Sequence, residues 1–364
     1  MERIATFDDW TDLFRKWQKE IGFDSSLAGD YSFEAIYDAP RQSEVEFGEF
    51  AGRKKWERVL DIPTQEMRDA LLHLIVYQGD TEFASSEQQR RLVHTAPTPY
   101  DLKCLLRVMR EEMRHGWQMS HLLVSHFGDS GKLEARKLLE RRTYNGDRLL
   151  GAFNQPVDHW LDFFTYTAFI DRDGKYQLTM LRHSGFAPLA NSMGPMLKEE
   201  SFHLFTGQSG LARILKAGKI PIHIIQKYIN KWIPMAYDLF GKDRSSSALR
   251  FYRWGFKGRY NEDKAPPPAD LETLNEEARS LYRQEVQEIV DGLNQLIPDG
   301  WANLSVPGIK FNRQIGAYAG QTYGVDGRLL NADEHRSHLQ AVLPGSYDLQ
   351  ALQSFFQDGS WIAA

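Results

Sequence analysis

The chain has a single cysteine, Cys104, in 364 residues. This excludes an internal disulfide, a four-cysteine zinc site and an iron–sulfur cluster held by this chain alone. A glycine-rich dinucleotide fingerprint is also missing, so any electrons must come from outside the chain. Long apolar runs are absent. The densest stretch, residues 220–239, is interrupted by His223, Gln226, Lys227, Asn230 and Lys231, short of the roughly 20 apolar residues of a spanning helix. Met1 to Trp10 lacks the basic start and apolar run of a secretory leader. The net charge is -5, with Lys and Arg interleaved among acids, so no basic track for a phosphate backbone exists. These absences lead to the expectation of a cytoplasmic protein with neither a membrane nor a nucleic acid as partner.

What the chain does have is a large apolar fraction, 42%, and 12% aromatics, enough for a thick core with an appendage. It also has one short pattern twice: Glu111-Glu112-Met113-Arg114-His115 and Glu199-Glu200-Ser201-Phe202-His203. A Glu and a His three residues apart share one side of a helix. Glu112 and His115 lie on the stripe Leu105, Val108, Met119, Leu122; Glu200 and His203 lie on the stripe Leu189, Met193, Met196. Apolar neighbours at that spacing point both motifs into a core. A surface Glu–His contact explains either copy alone, but not two doubled copies on apolar stripes. No other histidine among the eleven follows an acid at that spacing. A buried, unpaired carboxylate is costly by several kcal/mol, and a cation of charge two or three offsets that cost. Two facing Glu-x-x-His helices, with one more carboxylate from each of two others, make the ligand cage of a carboxylate-bridged di-iron or di-manganese bundle.

Candidates for the two further carboxylates follow from helical stripes. Leu71, Ile75, Gln78 and Glu82 share one face, which selects Glu82 as ligand with Gln78 beside it. Glu87 is the rival, in a polar run that reads as solvated. On the fourth helix Trp160, Phe164, Ala168 and Asp171 share a face, Asp173 is close by, and Asp171-Arg172-Asp173-Gly174 reads equally as a turn. Four carboxylates with two imidazoles form an oxygen-rich set. Zinc favours fewer ligands and more nitrogen or sulfur, so iron is the first choice and manganese the second.

Helical spacing and capping signals place helices over residues 7–20, from Thr64 to His94, and from the Thr98 cap with Pro99 to His126, where Gly128 closes the turn. Others are expected over 131–143, from Pro156 or Val157 to at least Asp171, from Pro188 to a stop at Gly207, over 211–216, 221–240 and 271–296. Residues 258–270, with Pro266-Pro267-Pro268, read as a surface linker or wrapping arm, and the tail beyond 296 as irregular with short strands at most. This divides the chain into an N-terminal helix and irregular arm (1–60), a metal-binding helical core (61–257), and a linker, long helix and irregular extension packed on the core (258–364).

Gln78-Gly79-Asp80-Thr81-Glu82, the block from Glu111 to His115, Phe169-Ile170-Asp171-Arg172-Asp173-Gly174-Lys175, the block from Lys198 to His203, and the tail from Lys310 through Tyr323 together resemble the oxygenase components of benzoyl-CoA epoxidases. The wider group includes the catalytic subunits of phenylacetyl-CoA epoxidases. The resemblance runs from about Asp61 to the C-terminus. It implies a mainly α, ferritin-like four-helix bundle with additional helices and an irregular C-terminal extension. Carried over by position, it implies metal ligands Glu82, Glu112, His115, Asp171, Glu200 and His203, with Glu82 and Gln78 at the reacting end, and it selects Asp171 over Asp173. It further implies two iron ions, and O2 as co-substrate, with one oxygen atom going to the aromatic ring of an aryl-CoA thioester and the other to water. Electrons are expected from NADPH through a separate flavin and iron–sulfur reductase. The chain is expected to be shorter than those enzymes near its N-terminus and after the second motif, where loops around the thioester differ.

Arg53-Lys54-Lys55, Arg90-Arg91 and the pair Lys310 and Arg313 are candidates for CoA phosphates, although each also reads as plain surface. Trp160, Phe163, Phe164 and Tyr166 suit either a ring pocket or core packing, and Tyr166 raises a radical-generating alternative. His121, His126, His159 and His183 read as capping or surface residues. The other readings are an oxygenase of the same fold for phenylacetyl-CoA or a free aromatic acid, and a non-catalytic structural or iron-binding bundle. The presence of all six candidate ligands weighs against the last.

Overall fold

The structure, a computed structural model, describes residues 4–29, 31–357 and 359–363; the first three residues of the stretch read against a leader lie outside it. Its helices are α1 (Phe7–Glu20), α2 (Gln65–Gln89), α3 (Pro99–His126), α4 (Gly128–Glu140), α5 (Trp160–Leu181), α6 (Ala187–Ala217), α7 (Ile222–Leu239), α8 (Ser246–Arg253), α9 (Leu274–Asn294), α10 (Ala332–Val342) and α11 (Ser346–Phe356). Among the described residues there is no strand, only isolated bridges such as Trp56 with Phe186. No described helix is long and apolar enough to cross a membrane.

Four long helices carry the architecture. Short connections join α2 to α3 and α5 to α6, and each pair packs along its length, as in antiparallel bundles. Across the middle α3 meets α6, so the two Glu-Glu-x-x-His segments face one another. Local chemistry sets the helix starts. Thr64 Oγ1 accepts the Met67 N–H at 3.2 Å and Thr98 Oγ1 accepts the Asp101 N–H at 3.1 Å, each satisfying an otherwise orphaned donor. His159 does the same for α5, its Nδ1 accepting the Asp162 N–H at 3.2 Å.

Several expectations are corrected by tertiary contacts. The Asp171–Gly174 segment is not a turn, because α5 runs through it to Leu181. Gly207 does not stop α6, which continues through the separately expected 211–216 segment to Ala217 and ends on Gly218 at φ +61°. Gly207 is a contact residue instead: a Cβ there would stand 2.4 Å from the Ala168 nitrogen of α5, and one at Gly210 would meet the Phe164 ring at 2.2 Å. The helix expected to reach His94 becomes a 3-10 turn after Gln89. Gly128, at φ +57°, opens α4 directly after α3. Helices α8, α10 and α11 are additions to the expected set.

Glu87 is not solvated. Residues 141–155 fold over α2, and Arg148 ion-pairs with both Asp80 (3.1 Å) and Glu87 (3.1 Å). The Glu87 carboxylate also accepts the Thr143 N–H at 2.7 Å and the Trp17 indole N–H at 3.3 Å. Because α1 and this loop cover its outer side, the second half of α2 is buried all round, polar residues included. The long helix α9 packs on α5, where Lys175 bonds Glu285 at 2.8 Å and the Tyr282 hydroxyl donates to the Phe169 carbonyl at 2.8 Å. The tail is less irregular than expected, and Leu352 and Trp361 join the core.

The close α5–α6 approach yields a direct expectation. Gly207→Ala should lower stability by about 1–3 kcal/mol, the usual cost of overpacking, read as a lower midpoint in denaturant unfolding. An unchanged midpoint would show that these helices part easily.

Candidate metal centre

All six candidate ligands converge. Glu82 from α2, Glu112 and His115 from α3, and Glu200 from α6 offer atoms within 4.8 Å of one another, and so do Glu112, Asp171 from α5 and His203 from α6. Glu112 belongs to both groups. The two imidazole rings face each other with centroids 5.9 Å apart. The Nδ1 atoms point inward: His115 Nδ1 lies 3.2 Å from Glu82 and 3.6 Å from Glu200, and His203 Nδ1 lies 3.6 Å from both Glu112 and Glu200. All six residues are buried. Gln78 donates to Glu82 Oε1 at 2.5 Å, and Ser85 donates to Glu112 at 3.1 Å.

The doubled glutamates have a role that the motif alone does not assign. Each outer glutamate holds the histidine of the opposite motif. Glu199 lies 2.8 Å from His115 Nε2, and Glu111 lies 3.1 Å from His203 Nε2. Arg114, itself buried, pairs with Glu199, and Arg107 donates to Glu111 at 2.8 Å. Charge therefore alternates outward from inner carboxylates to imidazoles, outer carboxylates and guanidiniums. The signal is present in the sequence as the E-E doubling; the crosswise pairing that explains it needs the α3–α6 contact.

Electrostatics describe a centre with surplus negative charge. Burial and the neighbouring Asp171, Glu82 and Glu200 charges push the Glu112 carboxyl well above its usual range, and burial with the Glu200 charge does the same to Asp171. Burial alone would lower the His115 pKa, but hydrogen bonds from its ring nitrogens to Glu199 and Glu82 carry it to about 9. His203 likewise reaches about 10 against its burial, through the Glu200 charge and the Glu111 bond. Burial opposes ionisation of Glu199, yet His115 and Arg114 hold its pKa at about 2.

The donor set fits divalent or trivalent cations. Asp171 Oδ2, Glu200 Oε2 and His203 Nδ1 are buried with no hydrogen-bond partner, and such atoms are rare unless something else satisfies them. All three belong to the converging groups. Four carboxylates with two imidazoles suit iron or manganese better than zinc. A different grouping, Glu46 with His183 and Asp263, already has a cation, since the Lys55 ammonium lies 3.6 Å from Glu46. His183 is buried on Glu46 at 2.6 Å, not capping or exposed as expected, whereas His159 does cap α5.

A cavity of about 280 Å3 opens onto the centre. Glu82, Glu112, Asp171 and Glu200 line its inner end, with Gln78 and Tyr166 beside them. Its outer wall comes from α8, α9 and residues 257–261. Residues 258–261 thus form a wrapping wall, with Arg259 buried on Glu262 and Tyr260 stacked on Tyr176 at 4.0 Å, whereas none of residues 262–270 lines the cavity or is buried. Of the aromatic candidates only Tyr166 lines the cavity; Trp160, Phe163 and Phe164 are core. None of the basic candidates for CoA lines it either. Lys55 pairs with Glu46 and Arg313 with Asp238, both buried, and Arg90 is turned to the Glu87 carbonyl.

A bundle of paired long helices with a carboxylate and imidazole centre at its middle is a ferritin-like fold. The chain belongs to the phenylacetic acid catabolic protein family, whose match covers residues 59–300. It is 36% identical over 391 aligned positions to benzoyl-CoA oxygenase component B of Aromatoleum evansii, covering 92% of this chain and 81% of that one. The aligned span exceeds the length of this chain, so the relative carries insertions that this chain lacks. The chain is also 22% identical over 253 positions to a 1,2-phenylacetyl-CoA epoxidase polypeptide of Escherichia coli (strain K12), covering 69% of this chain and 74% of that one.

Two expectations follow. Glu200→Ala and His203→Ala should lose most bound metal, whereas Glu111→Gln and Glu199→Gln should weaken metal affinity about 10- to 100-fold, as partners of ligating histidines do; elemental analysis after equilibrium dialysis measures both. Because both imidazoles are protonated below about 9 and 10 and a ligating nitrogen must lose its proton, metal uptake at pH 7 should release protons and tighten as pH rises. Titration in unbuffered solution reads the release, and a proton count of zero contradicts ligation through Nδ1.

Proposed function

We propose that this chain is the oxygenase component of an aryl-CoA epoxidase, with two iron ions held by Glu82, Glu112, His115, Asp171, Glu200 and His203. The observation that carries this reading is a buried, charge-surplus donor set at the closed end of a cavity, in a chain of this family. Manganese is the second choice of metal. When bound, the metals supply the O2 chemistry, by which one oxygen atom enters the ring and the other leaves as water.

The residues of the chain do the rest. Glu112, common to both donor groups, and Glu200, 3.6 Å from each imidazole, satisfy charge on both sides as it changes. Glu111 and Glu199 fix the orientation of the imidazoles and keep their Nδ1 atoms inward. Gln78, through its bond to Glu82, holds that carboxylate against the cavity and stands where a reacting ring arrives. The apolar walls exclude water from the inner end, which limits wasteful reduction of O2. The electrons reach this chain from a partner, for which the reading is an NADPH-dependent flavin and iron–sulfur reductase. Benzoyl-CoA is favoured over phenylacetyl-CoA as substrate by the higher identity and coverage of the benzoyl-CoA relative.

The test is reconstitution. Iron-loaded protein with that type of reductase, NADPH and O2 should convert benzoyl-CoA to an oxygenated thioester carrying one atom from labelled O2. Gln78→Leu should retain iron and lower turnover at least tenfold. Consumption of neither benzoyl-CoA nor phenylacetyl-CoA, with the iron in place, rules out the aryl-CoA reading.

A further inference from the structure

Three polar residues stand in the cavity wall without any part in holding the donor set: Asp173, Gln177 and Lys257. Gln177 bridges the other two. Its Nε2 donates to Asp173 Oδ1 at 2.9 Å, and its Oε1 accepts from the Lys257 ammonium at 2.5 Å. Lys257 enters from the turn after α8, where Gly255 has φ +71° and the Gly258 N–H bonds the Met180 carbonyl of α5 at 3.1 Å. The placement is therefore built into the backbone and does not rest on a freely swinging side chain. Lys257 keeps some accessible surface, and it lines the cavity. Its ammonium is nonetheless desolvated, which pulls its pKa down to about 8 against the attraction of Asp173.

A desolvated ammonium is costly to keep in a wall of this kind. An ammonium has three N–H donors, and Gln177 takes one, leaving two for a molecule in the cavity. The other cation of the wall, and its amides at Asn275 and Gln78, are engaged. Arg259 spends its donors on Glu262 and on the carbonyls of Ala265 and Pro266. Asn275 donates to the Lys242 carbonyl, and Gln78 to Glu82. Among the described residues Lys257 is thus the cation in this wall with donors to offer.

Depth gives it a chemical task. A Cβ at Gly174 would lie 3.8 Å from the Glu200 carboxylate, so Gly174 is where a flat group can lie against the donor set along the α5 wall. Gln177 stands three residues further along, about 4.5 Å at the helical rise, close to the breadth of a benzene ring. A ring lying against the donor set therefore places its first substituent beside Gln177 and Lys257.

We propose that Lys257, positioned by Gln177 and Asp173, donates a hydrogen bond to the acyl carbonyl oxygen of an aryl thioester and so fixes which ring carbons face the metal centre. This rests on the aryl-CoA reading above and adds the residue that recognises the carbonyl. Lys257 touches the substrate; Gln177 and Asp173 act through it as positioning residues. No covalent step is involved.

The test compares benzoyl-CoA with S-benzyl-CoA, which has CH2 in place of the carbonyl, by calorimetric binding to the full-length protein. Wild type should prefer benzoyl-CoA by roughly 10- to 100-fold, the range of a hydrogen bond to a charged group. Lys257→Met should reduce that preference to near unity with little change in S-benzyl-CoA affinity. The double variant Asp173→Asn with Lys257→Met removes both charges together, so that the core is not left with an unpaired carboxylate, and should behave alike. A general loss of packing would weaken both ligands equally, and that outcome overturns the proposal. So does a carbonyl preference that survives both substitutions. If wild type binds neither thioester nor thioether, the aryl-CoA reading falls and this proposal with it. If wild type binds both without preference, only the carbonyl contact falls.

Discussion

The fold depends on one electrostatic constraint: four carboxylates must share a desolvated volume in the middle of a helical bundle. Bringing Glu82, Glu112, Asp171 and Glu200 together without compensation is unfavourable by several kcal/mol for each ionised group. Compensation is layered. His115 and His203 stand between inner and outer acids, and Arg114 and Arg107 hold the outer acids Glu199 and Glu111. Each layer reverses the sign of the last, so the field at the surface is much weaker than that at the centre. Two carboxylate oxygens of the innermost layer, and the inward His203 Nδ1 of the next, remain unpartnered, where a cation would meet all three. The doubled glutamate of each motif follows from this constraint. One member faces the centre, and its neighbour, pointing about 100° away on the helix, reaches the imidazole of the facing helix.

A second buried network keeps the first in register. Arg148 ties Asp80 and Glu87 of α2 to the loop that follows α4, and Asp80 also accepts the Leu149 N–H at 2.8 Å. This closes the outer side of α2, the helix that must present Glu82. Losing one partner of such a set is far more costly than losing an exposed ion pair, so the loop and helix behave as one body. On the opposite side Gly207 and Gly210 bring α6 against α5 closely enough for Asp171 and Glu200 to share a site. The place where the six side chains meet is thus set jointly by polar ties around α2 and by an absence of side chains between α5 and α6.

Much of this is legible in sequence because it is local. A Glu-x-x-His pair on an apolar stripe is a statement about a single helix, and the stripe through Gln78 selects Glu82 as well. Thr64 and Thr98 announce their helix starts by residue type. Asp171 is not separable from Asp173 by periodicity, and the family resemblance decides it. The failures share one cause. Glu87 reads as solvated because its neighbours in sequence are polar, yet its burial comes from Arg148 and Trp17, some sixty and seventy positions away. Gly207 reads as a terminator because glycine is a poor helix former, whereas the missing Cβ here serves contact with a different helix. Lys257 gives no signal at all, since nothing near it in sequence marks a cavity wall.

Those failures also separate two tasks within the chain. Residues of α2, α3, α5 and α6 determine how charge is held, and they are constrained from every side by one another. Segments outside the four helices, especially residues 241–261 and α9, determine what stands next to that charge, because they supply most of the outer cavity wall. A change in the first set disturbs the balance of buried charge and is felt as lost metal or lost stability. A change in the cavity-facing residues of the second alters the shape and polarity presented to an incoming molecule. The outer wall can therefore be reshaped for a different molecule while the donor set and the four helices that carry it stay fixed.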